Sequence, residues 1–260
     1  MSGYPHRSAM SPARLEWLRM TRSPRGLVLT LVYLFFGFTA PLLVRYLDRL
    51  AKLGSSGVQI IAPTPKPADG IVNFVSQSSQ TGMIVLVVVV AGALSYNARR
   101  GLATFYRTRA PGPFALIWPR FVAGTAVAVL AYLLGTAAAW LETGLVLGPL
   151  PAGRMLLGVL VEVVFLAFTV AVVAAAATFG RGTTATAGVA LVVLLIALPL
   201  AGIVKPVARW LPSSLMHAPA GLLTGTAPGG YLPAVVVSVL VTGGLLALAT
   251  VRARHREPAP

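Results

Sequence analysis

The sequence contains no cysteine and only six acidic residues in 260. The first absence removes disulfides, thiolate metal centres, iron–sulfur clusters and cysteine nucleophiles together. The second leaves few carboxylates for acid–base chemistry or for a cation site, and they are scattered along the chain. Charged residues make up 10% of the chain, where soluble domains carry about 25%, so an ordinary soluble domain is excluded. Histidine is scarce as well: His6 and His255 lie in the tails and His217 stands alone, which leaves no metal-binding cluster and no HExxH helix. No GxxxxGK[ST] stretch occurs, so the chain has no Walker-type nucleotide site.

What is present is apolar and basic. Hydrophobic residues make up 57% of the sequence, and the mean hydropathy is +0.82. Disorder is incompatible with that hydrophobicity. Lysine and arginine number 21, for a net charge of +15. A pI near 11.5 suggests nucleic acid when taken alone. Beside this hydropathy it suggests instead a polytopic membrane protein with basic loops and no nucleic-acid partner. Only Lys52, Lys66 and Lys205 among the basic residues are lysine; with the Ala, Val, Leu and Gly bias, this hints at a GC-rich bacterial genome.

A spanning helix needs roughly 20 apolar residues to cross about 30 Å of hydrocarbon. Six stretches meet that length, at about 26–44, 79–98, 121–141, 155–179, 183–204 and 231–251. Glu162 in the fourth is the one charge inside these bounds. The alternating pattern of a membrane barrel is missing, so the expected fold is all-α and polytopic, a single transmembrane domain over 1–260. The first stretch is too long for a signal-peptide core and five more follow, so it reads as an uncleaved anchor. With six crossings both termini share one side. That side collects 14 basic residues (7, 14, 19, 22, 25, 99, 100, 107, 109, 120, 181, 252, 254 and 256) against 7 on the other (45, 49, 52, 66, 154, 205 and 209). The excess marks the cytoplasm, which predicts cytoplasmic termini in a bacterial cell membrane.

Within the loops and spans the sequence makes finer suggestions. Asp48, three residues after Arg45 and four before Lys52, extends the first span past the membrane; Pro63, Pro65, Pro67 and Gly70 then mark an irregular loop. The Gly180-Arg181-Gly182 turn makes the fourth and fifth spans antiparallel neighbours. Pro41 and Pro199 are expected to kink their spans, and Gly243-Gly244 to permit close helix contact in the sixth.

Three segments outside the spans stand out. Ser11 to Arg25 carries Trp17 and Leu18 among arginines, as an interfacial helix along the inner leaflet does; a charged leader that only sets topology is the alternative. The segment 97–113 is longer than a reversal requires, with Arg99, Arg100, Arg107 and Arg109 interleaved with Thr104, Phe105 and Tyr106. It suits either a partner-docking helix or a positively charged anchor. The segment 205–230 is too apolar for a solvated loop and too broken for a span. It reads as a re-entrant or interfacial hairpin, or else as a surface loop.

Two chemical possibilities need weighing. Ser213, Ser214 and His217 fall within one helical turn, but no acid lies in the segment and no GxSxG elbow occurs, so helix capping explains the serines better than nucleophilic catalysis. Glu162 is costly in hydrocarbon, about 2.5–3.5 kcal/mol on insertion scales. It is a candidate for the substrate pathway or a proton role, or else a structural partner of Arg154, Lys205 or Arg209.

The layout resembles the membrane subunits of type-2 ATP-binding-cassette (ABC) exporters, a family of six-span permeases. Those proteins have an N-terminal interfacial elbow helix, a cytoplasmic coupling helix between spans two and three, and a re-entrant pair of short helices before span six. The most specific local match is Arg99-Arg100-Gly101-Leu102-Ala103-Thr104, followed by Arg109-Ala110-Pro111 and Trp118-Pro119-Arg120; Gly148-Pro149-Leu150-Pro151 is similar to a turn of small bacterial members. The family usually places a glutamate near the start of the coupling segment, where this chain has Asn97, Arg99 and Arg100. The resemblance implies two permease chains, identical or paralogous, above two cytoplasmic ATPase subunits. Those subunits would bind ATP and Mg and contact Arg99, Arg100, Thr104, Tyr106, Arg107 and Arg109. It implies no catalysis and no cofactor in this chain, and export of an amphiphile such as a drug, antibiotic, lipid or glycan. The competing expectation is an ATPase-independent carrier, channel or scaffold.

Overall fold

Proline opens five of the helical elements among the described residues. It is the first residue of α1 (Pro24–Gly54), α2 (Pro67–Gln77) and α4 (Pro113–Val146). It also begins the 3-10 turns Pro212–His217 and Pro228–Tyr231. A first-turn N–H has no partner within its helix, so proline loses nothing there and its φ is already helical. In the computed structural model, which describes residues 24–54, 64–94, 113–180 and 182–255, no strand occurs among the described residues.

Six helical stretches among the described residues are long and apolar enough to cross a membrane: Pro24–Leu47, Pro67–Leu94, Ile117–Val146, Ala152–Phe179, Thr183–Ala201 and Pro228–Ala253. The second joins α2 to α3 (Met83–Leu94) through a π turn, Ser78–Gly82. The fourth is α5 (Ala152–Phe179). The fifth runs from α6 (Thr183–Leu191) through a π segment, Val192–Ala197, to α7 (Leu198–Ala201). The chain continues through α8 (Lys205–Ala208), the Pro212–His217 turn, α9 (Ala218–Leu223) and α10 (Leu232–His255). It is a multi-pass, all-helical membrane protein.

Several sequence expectations change. The second span begins 12 residues earlier than hydropathy suggests. Pro67 starts the helix, and the Lys66 backbone N–H donates to Asp69 Oδ2 at 2.7 Å, closing the helix end that follows the prolines. Gly70, expected in an irregular loop, is a buried helical residue whose added Cβ would lie 2.6 Å from Thr143 Oγ1. Pro119 and Arg120 lie within α4, so the third span carries Arg120 and Glu142; the fourth is not the only charged span. Pro24 and Arg25, the end of the segment 11–25, lie within α1. Arg25 Nη1 donates to the Gly92 carbonyl at 2.9 Å, pinning the start of α1 to the end of α3. The remainder of 11–25 and nearly all of 97–113 lie outside the described residues.

The core is uneven. The second, third and fourth spans bury 56% to 61% of their most apolar stretch, against 17% to 28% for the first, fifth and sixth. The fourth span is central: α5 packs on α3, α4, α6, α9 and α10. Its contact with α6 fulfils the antiparallel pairing expected from the short Gly180–Gly182 turn. The most extensive pairing is between α1 and α4, and glycine makes it possible. A Cβ on Gly135 would fall 2.6 Å from the Tyr33 carbonyl oxygen, and one on Gly37 would meet the Gly135 carbonyl. Small residues let two backbones approach closely in a membrane. Gly243 and Gly244, expected in that role, have no atom near the position of a Cβ. The disturbance expected at Pro199 takes the form of the π segment immediately before it.

Candidate functional site

Four spans bring polar groups together in the middle of the bundle. Glu162 sits ten residues into α5, about 15 Å along the helix from its start, and is 5% exposed. Its Oε2 is buried without a hydrogen-bond partner. Among the described residues no ion pair to Glu162 is formed, so the expected pairing with Arg154 or Arg209 does not occur; the Lys205 side chain lies outside the description. Instead the carboxyl shares its surroundings with Tyr33 of α1 and Tyr132 of α4. The two tyrosine rings meet edge to face, and Phe74 of α2 lies against Tyr132 with centroids 6.1 Å apart.

The π turn in the second span completes this centre. Ser78 and Ser79 return their hydroxyls to the Val75 and Ser76 carbonyls, at 3.1 and 3.0 Å, so both are satisfied locally. Gly82, at the end of the turn, faces the Tyr33 ring; an added Cβ would stand 3.2 Å from Tyr33 Cε1. The turn therefore delivers a side-chain-free surface to Tyr33. π turns inside longer helices are frequently found at functional sites.

On α4 the polar groups form a line. Tyr132 is 1% exposed, Thr136 4% and Thr143 0%, and the hydroxyls of all three, with that of Thr125, are buried and without a partner. Positions 125, 132, 136 and 143 are spaced seven, four and seven. At about 100° per residue this places them within an arc of roughly 40°. The sequence already held this signal in its polar positions, but hydropathy averaging over the third span conceals it.

The docked segment between α7 and α10 covers the end of α5 near Glu162. Pro212, Leu215, Ala218, Pro219 and Leu222 are buried, and the Pro212–His217 turn and α9 both pack on α5. A Cβ on Gly158, one turn before Glu162, would meet Pro219 Cα at 2.5 Å. Ser214 Oγ donates to the Leu211 carbonyl at 2.8 Å. This bond back to its own turn is neither a helix cap nor an approach to a base. Burial pushes the His217 imidazole below its ordinary range, and no acid orients it.

Arg99, Arg100, Thr104, Tyr106, Arg107 and Arg109 lie outside the described residues. At the edge of that gap, Arg120 is 3% exposed, a buried guanidinium that the loop count treats as a topology marker. Phe114, Trp118 and Phe121 form an aromatic ladder beside it, with neighbouring centroids 5.7 Å apart.

These features define a polytopic helical membrane protein with polar groups buried in its core. No family profile and no curated protein matches the chain.

Proposed function

We propose that the chain is the permease subunit of an ATP-driven exporter of the type-2 ABC class, moving an amphiphilic substrate across a bacterial cytoplasmic membrane. The observation that carries the reading is the array of short helices, Pro212–Leu223, packed against the fourth span immediately before the sixth. Such an array sits where those permeases have their re-entrant helices, and here it would lie in the outer leaflet. The six spans support the same reading, as do the basic segment 97–113 between spans two and three and the apolar surfaces of spans one, five and six. Those surfaces offer Phe35, Phe38, Leu240 and Val236 to lipid or to a second permease chain.

On this reading 11–25 lies along the inner leaflet as an elbow and 97–113 is the coupling segment. Both termini are cytoplasmic. ATP and Mg are bound by two separate ATPase subunits, whose closure presses on Arg99, Arg100, Thr104, Tyr106, Arg107 and Arg109 and tilts the spans. The test is purification from its native membrane without crosslinking. A Walker-motif ATPase in stoichiometric amount is the expected companion; its consistent absence rejects the exporter. One observation favours the rival class of an ATPase-independent carrier: Glu162 is buried at mid-span without a counter-charge, as coupling carboxylates of carriers are.

A further inference from the structure

Thr125, Thr136 and Thr143 differ from five other helical threonines of this chain. Buried or exposed, a threonine in a helix ordinarily turns its hydroxyl back to a carbonyl three or four residues earlier. Thr30, Thr39, Thr169, Thr178 and Thr250 all do so, at 2.6–3.0 Å. The three on α4 do not, and their hydroxyl oxygens are buried without any protein partner. Tyr132 between them is in the same condition, and so is Glu162 Oε2. An unsatisfied buried hydroxyl costs about 1–3 kcal/mol, and native proteins leave few such groups. Four on one stripe of one helix, with a carboxyl beside them, form an organised exception.

The stripe also has the right length. From Thr125 to Thr143 is eighteen residues, about 27 Å along a helix, close to the roughly 30 Å of a hydrocarbon core. Two of its members are seen to face the first and second spans and not lipid. Tyr132 meets Tyr33 and Phe74, and Thr143 Oγ1 lies against Gly70. Tyr132 and Thr136 are one turn apart and near enough for their side chains to interact, while Thr125 and Thr143 each stand seven residues from the next hydroxyl, about 10 Å along the axis, a gap that two or three hydrogen-bonded waters bridge. Buried polar groups with no protein partner are where internal waters reside.

We propose that this stripe is a hydrated proton path through the chain, lined by Thr125, Tyr132, Thr136 and Thr143, with Glu162 as its proton-binding group. A proton passes from a water on one side to the Glu162 carboxylate and leaves as the carboxylic acid gives it to a water on the other. The step needs no other reactant. The groups around Glu162 suit it. Of the elements packed on α5, α3, α6 and α9 carry no titratable side chain. The Pro212–His217 turn brings His217, and α10 brings only Arg252, Arg254 and His255 at its far end. On α4, Arg120 and Glu142 stand twelve residues before and ten after Tyr132, about 18 and 15 Å along the axis. Tyr33 and Tyr132 are left as the near neighbours, both neutral donors or acceptors.

The proposal stands apart from the exporter reading, because its test uses this chain alone. The purified full-length protein is placed in vesicles enclosing a pH-sensitive dye, and a potassium diffusion potential drives proton entry. Acidification above that of protein-free vesicles is expected. Glu162→Gln should slow it by about tenfold or more, the scale of losing a group that itself carries the proton. Thr136→Val and Thr143→Val should slow it several-fold, and the control Thr39→Val should leave it unchanged. As a second measurement, the infrared carbonyl band that is missing in Glu162→Gln should shift promptly on transfer to D2O, since a hydrated acid exchanges its proton. Flux equal to that of empty vesicles, wild-type flux in folded Glu162→Gln, flux that requires sodium in place of a proton gradient, or a carbonyl band that does not exchange would each overturn the assignment.

Discussion

Tyr33 of the first span and Tyr132 of the third meet edge to face, with ring centroids 5.7 Å apart and an interplanar angle of 86°. The contact joins the two most extensively paired helices, and it does so beside Glu162. A ring pair of this geometry contributes about 0.5–1.5 kcal/mol beyond the area it buries. The aromatic wall and the polar centre are thus one structure, and each can be altered separately.

Tyr132→Phe keeps the ring and removes a buried hydroxyl without a partner, so the unfolding temperature in detergent should hold or rise. Tyr132→Ala removes the ring and leaves a cavity, at a cost of about 3–5 kcal/mol. A fall for the phenylalanine variant comparable to that for alanine would show that the hydroxyl supports the fold.

Glycine positions should divide sharply. Gly135→Ala forces a Cβ onto the Tyr33 backbone, where no flexible side chain can yield, and overpacking of this kind costs about 1–3 kcal/mol. Gly243→Ala and Gly244→Ala enter open space and should be neutral or stabilising by up to about 1 kcal/mol. Thermal unfolding of the three variants in one detergent decides it. Equal effects would remove the α1–α4 approach as the reason.

His217 gives a pH dependence of definite sign. Burial lowers its folded-state value below the ordinary 6.5, so the unfolded chain takes up its proton first as pH falls. The histidine's contribution is intact above about pH 6.5 and is lost as pH falls through the folded-state value. Unfolding midpoints measured between pH 8 and 5 should decline less in His217→Gln than in the wild type. Parallel declines would assign the loss to other groups.

For the exporter reading, Arg99→Glu with Arg100→Glu should abolish permease-stimulated ATPase activity while the protein remains in the membrane. Stimulated hydrolysis and complex assembly at wild-type levels would remove these residues from the ATPase contact.

The spans were legible because hydrocarbon thickness imposes a length that Leu, Val and Ala satisfy visibly. Hydropathy alone marks the second span short, because Asp69, Gly70 and the Ser76–Gln80 run lower it locally. Yet Pro67 and Asp69 form a helix start, and the serines satisfy themselves within the helix. Glu162 was conspicuous as a lone acid, but its neighbours were not. Thr125, Tyr132, Thr136 and Thr143 are ordinary residues singly and acquire meaning only on one face of α4, with Tyr33 of α1 set against it. Gly243-Gly244 drew notice as a pair, whereas the close crossing uses Gly37 and Gly135, single glycines on different spans. Composition cannot report which glycine faces a neighbour.

The π turns at Ser78–Gly82 and Val192–Ala197 interrupt the α-helical ladder of two spans. A π turn accommodates an extra residue in the hydrogen-bond ladder. Moving that surplus along the helix, or relaxing it, turns one half of the span by about 100° against the other with little change in length. In the second span the half that turns would carry Gly82 away from Tyr33 and bring a side chain to the polar centre in its place. The wall of the polar centre beside Glu162 thus depends on the backbone register of a single helix.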